Sequence, residues 1–137
     1  MKIAVRYFSR SGNTRKLAEA VARGAGAEAK DVREGLAEDV DLLFLGSSVY
    51  AAGVDDEIKK FIGGLEVRVG QVVNFSTAAI LRSTAKQVGK LLEDKGIRLS
   101  EREFYCKGAF GPLHKGKPDA ADLRRAEEFA RQIAAGA

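Results

Sequence analysis

The sequence predicts an open α/β fold, a five-stranded parallel sheet with helices on both faces. Three observations carry this. Strand-like apolar runs alternate five times with segments of helical period, the pattern of repeated strand–helix crossovers. The stronger runs are nearly continuous in apolar residues, as expected of strands covered on both faces. The chain has 137 residues, one domain's length and too short for an eight-stranded barrel. No internal repeat, linker or low-complexity stretch breaks the sequence, so residues 1–137 are expected to form a single domain.

Ile3, Ala4, Val5, Tyr7 and Phe8 make the first strand. After Asn13 the period changes: Leu17, Ala18, Val21 and Ala22 share a helical face, and Gly24 and Gly26 end it. Ala27 to Arg33 alternates weakly and reads as an edge strand. Leu42 to Leu45 is the strongest strand signal, expected to stop at Gly46-Ser47-Ser48. A helix follows from about Asp55, with Ile58, Phe61 and Ile62 inward and Gly63-Gly64 as its stop; the acids Asp55, Asp56 and Glu57 suit its positive end. Val72, Val73 and Phe75 form the fourth strand. Ser83 or Thr84 caps the third helix, which buries Val88, Leu91 and Leu92 and ends near Gly96. Phe104, Tyr105 and Cys106 lie in the fifth strand. Pro118-Asp119 opens the last helix, with Asp122 three residues on and Leu123, Ala126, Phe129, Ala130 and Ile133 on its apolar face.

Composition narrows the function classes. With 45% hydrophobic residues the chain can fill a core. One cysteine, Cys106, excludes an internal disulfide and fits a reducing cytoplasm. No apolar run reaches the roughly 20 residues of a membrane span. The start, MKIAVRYF, reads as a strand and not a signal peptide. The net charge of +4 is carried by residues 71–137, with 12 basic and 8 acidic side chains against 11 and 11 before them. Arg82, Lys107, Lys115 and Lys117 read as loop residues, forming a nucleic-acid footprint, an anion site or a solvated face; no nucleic-acid motif supports the first.

In such sheets ligands bind at the carboxyl ends of the strands. The loop after the first strand, Ser9-Arg10-Ser11-Gly12-Asn13-Thr14, is the most informative. It places three hydroxyls and a glycine at a helix N-terminus, where backbone N–H groups converge and favour an anion such as phosphate. It is neither a GxxxxGK-type phosphate loop nor GxGxxG. Cys106 lacks the C-x5-R of a phosphatase cradle, and no C-x-x-C pair exists. His114 is the lone histidine, without a visible partner.

Ser-x-Ser-Gly-Asn-Thr directly after the first strand resembles the phosphate loop of flavodoxins, commonly Ser/Thr-x-Ser/Thr-Gly-x-Thr. Gly46-Ser47-Ser48-Val49-Tyr50-Ala51-Ala52-Gly53 is similar to that family's first flavin loop. Ser76-Thr77-Ala78-Ala79-Ile80-Leu81-Arg82-Ser83-Thr84 stands where its second belongs, and residues 104–111 look like the fifth strand and its exit. The resemblance covers essentially the whole chain. It implies a flavodoxin-like three-layer sandwich, strand order 2-1-3-4-5 and bound FMN. It implies that Ser9, Ser11, Asn13 and Thr14, with the backbone around Gly12, hold the phosphate. Arg10 adds charge there or points to solvent. Tyr50 stacks on the ring; Ala51, Ala52 and Gly53 let backbone approach flavin N5, and Ser48 of the same loop is counted among the cofactor-binding residues. Thr77, Ala78, Ala79 and Leu81 border the pyrimidine edge.

Two features depart from that family. The second flavin loop has no aromatic residue, so Ala79, Ile80 and Leu81, or Phe110 or His114, would have to cover the ring. The surroundings are basic where flavodoxins are acidic. A monomeric electron carrier with redox-protein partners, acidic ones included, is the expectation. The alternative is an FMN-dependent oxidoreductase of the quinone reductase or protoporphyrinogen oxidase type.

Overall fold

A computed structural model describes residues 1–50, 53–78, 83–109 and 115–136, with the backbone alone for Val49 and Tyr50. The order of elements is β1 (Ile3–Tyr7), α1 (Asn13–Ala25), β2 (Ala29–Asp31), a 3-10 turn (Val32–Glu34), β3 (Val40–Tyr50), β4 (Gly53–Val54), α2 (Asp56–Gly63), β5 (Val69–Ala78), α3 (Ala85–Glu93), β6 (Phe104–Lys107) and α4 (Ala120–Gly136). The main sheet runs β2-β1-β3-β5-β6, every pair parallel. This is the expected 2-1-3-4-5 order once the small strand β4 is counted.

Alternation along the central strands builds the three layers. Successive side chains of a strand point to opposite faces. Leu42 and Phe44 of β3, with Val73 and Phe75 of β5, therefore meet Leu17, Val21, Ala126 and Ala130 of α1 and α4. Leu43 and Leu45, with Val72, meet Ile58, Ile62, Val88 and Leu92 of α2 and α3. Both faces of β3 and β5 are thus dry, which is why their sequences read as continuous apolar runs.

Four boundaries differ from expectation. β3 does not stop at Gly46-Ser47-Ser48; it continues to Tyr50, because these residues pair with Phe75, Ser76 and Thr77. Gly46 marks a close approach and not a turn: a Cβ there would lie 2.1 Å from Phe75 Cε2. β5 likewise carries Ser76, Thr77 and Ala78 inside the strand, since β6 pairs with all three. The weak edge strand shrinks to Ala29–Asp31, where Asp31 turns the chain by accepting a hydrogen bond from the Arg33 N–H. β4 was not foreseen; it folds back on Val49 and Tyr50 as an antiparallel pair.

The helix starts are built as the sequence suggests, with one choice resolved. Ser83 Oγ accepts from the Ala85 N–H, whereas Thr84 is turned inward. At α4 the Asp119 N–H donates to Asp122 Oδ2 (3.0 Å) and the Asp122 N–H to Asp119 Oδ1 (2.9 Å), a reciprocal capping arrangement. Among the described residues, no helix is long and apolar enough to cross a membrane.

Candidate functional site

The carboxyl ends of β1, β3, β5 and β6 meet at one rim of the sheet. The chain order reverses between the neighbours β1 and β3, the switch point where ligands bind in such folds. The loop from β1 to α1 occupies that point. Gly12 is the residue before α1 and takes φ +93°, a conformation that suits glycine. Its N–H donates to Ser9 Oγ (2.9 Å), so the loop closes on its own first hydroxyl. Among the described residues, no side chain caps α1. The first-turn amides therefore face the rim without a side-chain acceptor, while Ser11 is exposed beside them.

The next residues tie this loop to its neighbours. The hydroxyls of Thr14 and Thr77 share a 2.9 Å hydrogen bond and are both almost wholly buried. Asn13 donates its amide to the carbonyl of Ala109 (2.9 Å), just beyond β6. Gly108 lies in the angle between them: a Cβ there would stand 3.1 Å from Thr77 Cβ and 3.2 Å from Asn13 Nδ2. α1, β5 and the exit of β6 are thus locked into one cradle. Thr77 and Ala78 belong to the strand ladder, so Thr77 reaches the rim through Thr14.

Arg10 does not simply point to solvent. Its Nε lies 2.5 Å from Asp55 Oδ2, although the side chain stays largely exposed. Asp55 is 9% exposed and also caps α2 through the Glu57 N–H. Burial raises the Asp55 pKa, but the Glu57 N–H and Arg10 outweigh it and hold the carboxyl below its ordinary value. The ion pair straps the first loop to the start of α2. Arg33 and Arg10 both lie over the Phe8 ring, at 5.2 and 5.9 Å from its centre.

Beneath the rim, on the α3 side, is a polar cluster that sequence reasoning missed. Ser47 Oγ donates to Thr84 Oγ1 (2.8 Å), Asn74 Nδ2 donates to the same oxygen (3.0 Å), and the Thr84 N–H reaches Ser76 Oγ. All four residues are fully buried. They fasten β3, β5 and the start of α3, and so fix both stems of the segment between Ala78 and Ser83. The available signal was Asn74, a residue disfavoured in strands, inside an apolar run.

Gly53, at φ +105°, pairs with Tyr50 where β4 runs antiparallel to β3. Ser48 is half-buried below it and pairs with Thr77. Ala51, Ala52, Ala79, Ile80, Leu81, Arg82, Phe110 and His114, and the Tyr50 side chain, lie outside the described residues. Lys107 and Lys115 are exposed. Lys117 is not a free loop cation: it pairs with Asp119 (2.7 Å) and Asp122 (3.5 Å). Burial raises the Cys106 thiol to a pKa of about 12. Among the described residues, no group of acidic, histidine or cysteine side chains could hold a metal ion.

The donor set suits a phosphate-bearing cofactor. It offers an uncapped helix start, small hydroxyl residues and a glycine turn, with the nearby guanidinium already balanced by a carboxylate. Comparison with known proteins agrees. Residues 4–110 match the family model of the flavodoxin domain. A curated relative, an uncharacterized protein of Methanocaldococcus jannaschii, is 30% identical over 97% of this chain and 98% of its own length. Among solved structures, flavodoxin 2 of Bacillus cereus covers 100% of both chains with a TM-score of 0.72 at 22% identity. A WrbA-like flavodoxin of Agrobacterium tumefaciens covers 98% of this chain and 95% of its own, with a TM-score of 0.73 at 20% identity.

Proposed function

The chain belongs to the flavodoxin family, and on that premise we propose that it binds FMN at this rim and carries electrons between protein partners. The observation that carries the reading is the uncapped start of α1 at the β1/β3 switch point, ringed by Ser9, Ser11 and Gly12. Bound FMN would supply the redox chemistry; the protein supplies binding, orientation and electrostatics.

In this reading the backbone N–H groups of Asn13, Thr14 and Arg15 receive the phosphate together with the Ser9 and Ser11 hydroxyls. The side chains of Asn13 and Thr14 act one step removed, holding the first turn of α1 in place through Ala109 and Thr77. Arg10 orients the loop through Asp55 and adds little net charge. Tyr50 offers a flat face to the ring, Ala51, Ala52 and Gly53 bring backbone to its edge, and the segment from Thr77 and Ala78 through Ala79 and Leu81 borders its other end. Lys107, exposed at the carboxyl end of β6, and the exposed Lys115 favour an acidic redox partner.

The experiment is a fluorescence titration of free FMN with the purified apoprotein. Stoichiometric quenching at sub-micromolar affinity is expected. No quenching overturns the cofactor assignment. Rapid turnover of a quinone by the FMN-loaded protein would instead favour an enzyme over a carrier.

A further inference from the structure

Thr77 continues the row of Val73 and Phe75 on the face of β5 that meets α1 and α4. The row is apolar until Thr77, where a hydroxyl is buried. Its partner is the hydroxyl of Thr14, in the first turn of α1, at 2.9 Å. Thr77 is 2% exposed and Thr14 1%. Two valines would fill this space without desolvating a polar group, so packing alone does not explain the pair.

A hydroxyl carries one proton and two lone pairs. A single bond between two hydroxyls uses one proton and leaves the other. Among the described residues, neither threonine side chain has a second hydrogen-bond partner, so the pair keeps one spare proton. The direction of the shared bond decides where that proton sits. If Thr14 donates, it stays on Thr77, inside the strand layer between the ladder partners Ser48 and Cys106. If Thr77 donates, it belongs to Thr14, in the same turn as the amides at the start of α1. An anion at that start selects the second arrangement, because it accepts the spare proton in a charge-assisted bond. Thr77 is fit to hold that direction. It is β-branched and stiff about χ1, and Gly108 backs it closely: a Cβ there would stand 3.1 Å from Thr77 Cβ and 3.4 Å from its Oγ1.

We infer that Thr77 is a positioning residue for a phosphate at the start of α1: its buried hydroxyl donates to Thr14 and so turns the Thr14 proton outward. This rests on the FMN reading above. Beyond tethering α1, the pair then supplies one oriented donor, set from behind the phosphate loop.

The test compares wild type with Thr77→Val, which keeps the shape and removes the hydroxyl, and Thr77→Ser, which keeps the hydroxyl. Thr14→Val approaches the same pair from α1. Affinities for FMN and for riboflavin, which lacks only the phosphate, are measured by quenching with each apoprotein. Thermal unfolding is followed with sodium phosphate replacing sodium chloride at fixed ionic strength. Thr77→Val should weaken FMN about tenfold, the weight of one hydrogen bond to a charged group, and leave riboflavin within about threefold of wild type. The stabilisation by phosphate should shrink in parallel, and Thr77→Ser should restore both. Thr14→Val should lose as much as Thr77→Val, and the double variant no more than either, because the two act as one relay. FMN affinity unchanged in Thr77→Val, or equal losses for FMN and riboflavin, overturns the inference and leaves Thr77 as packing. A wild-type protein that phosphate stabilises but that does not quench FMN overturns the cofactor reading alone, and the phosphate measurements on the variants then decide the role of Thr77. A wild-type protein that responds to neither overturns both.

Discussion

Asp55 joins two parts of the site at the scale of a single residue. One carboxylate caps α2 and restrains Arg10 of the first loop. Asp55→Ala should cost about 1 kcal/mol for the cap and loosen the loop, lowering FMN affinity; chemical denaturation and FMN titration check the two effects. The pKa gives the sign with pH. A carboxyl whose folded pKa is depressed stabilises the fold above its unfolded value near pH 4. That stability is lost as pH falls through the lower folded value, so wild type and Asp55→Ala should converge in stability below about pH 4. Cys106 behaves oppositely. With its thiol raised to about 12 by burial, it holds almost no thiolate at pH 8. Iodoacetamide should label the native protein far more slowly than the denatured one; equal rates would contradict the burial. Of the sequence-level site residues, Ser9 and Gly12 stand where the motif placed them. The Arg10–Asp55 pair was not legible, because 45 positions separate partners that only the fold brings together.

Glycines set how closely the elements approach one another. A Cβ on Gly24 would lie 2.0 Å from the backbone carbonyl oxygen of Glu127, so α1 and α4 approach backbone to backbone there. Gly24 therefore belongs to a helix–helix contact, although it reads locally as a helix-ending residue. Gly24→Ala improves helix propensity by roughly 1 kcal/mol yet should destabilise by roughly 1–3 kcal/mol net, because the two helices must separate. Gly46→Ala should be at least as harmful, since its Cβ would overlap the Phe75 ring in a wholly buried layer. Both are read as shifts in denaturation midpoint. Strand cores were legible from their apolar runs, but strand ends were not. Ser47, Ser76 and Thr77 look like loop residues in sequence; Ser76 and Thr77 become strand because parallel neighbours on both sides complete their backbone hydrogen bonds, and Ser47 because it pairs with Ser76.

Charge is a property of the whole molecule. The chain carries +4 overall, where the family resemblance leads one to expect an acidic surface. A positive field stabilises the anionic reduced cofactor, so the potential for complete reduction should be less negative than in an acidic flavodoxin. A reductive titration measures it, and a potential as low as theirs would contradict this view of the site. The structure tempers the basic patch: Lys117 is consumed at the start of α4, and Arg10 is offset by Asp55. Among the described residues, Lys107 is an exposed cation at the carboxyl end of β6, so added salt should weaken partner docking only modestly.

By itself the sequence determined the alternation of strands and helices, the apolar faces, the acidic start of α2, the cap at Asp119, and the phosphate-loop motif; it left Ser83 and Thr84 as alternatives at the start of α3. Each of these is written in residues within about one turn or one strand of one another, where local periodicity and backbone chemistry decide the outcome. Only the tertiary structure decided where β3 and β5 end, which hydroxyls are buried together, and what Arg10 pairs with. Those outcomes depend on contacts between segments far apart in the chain. A hydrogen bond or a close approach across such a distance leaves no spacing for a sequence pattern to reveal.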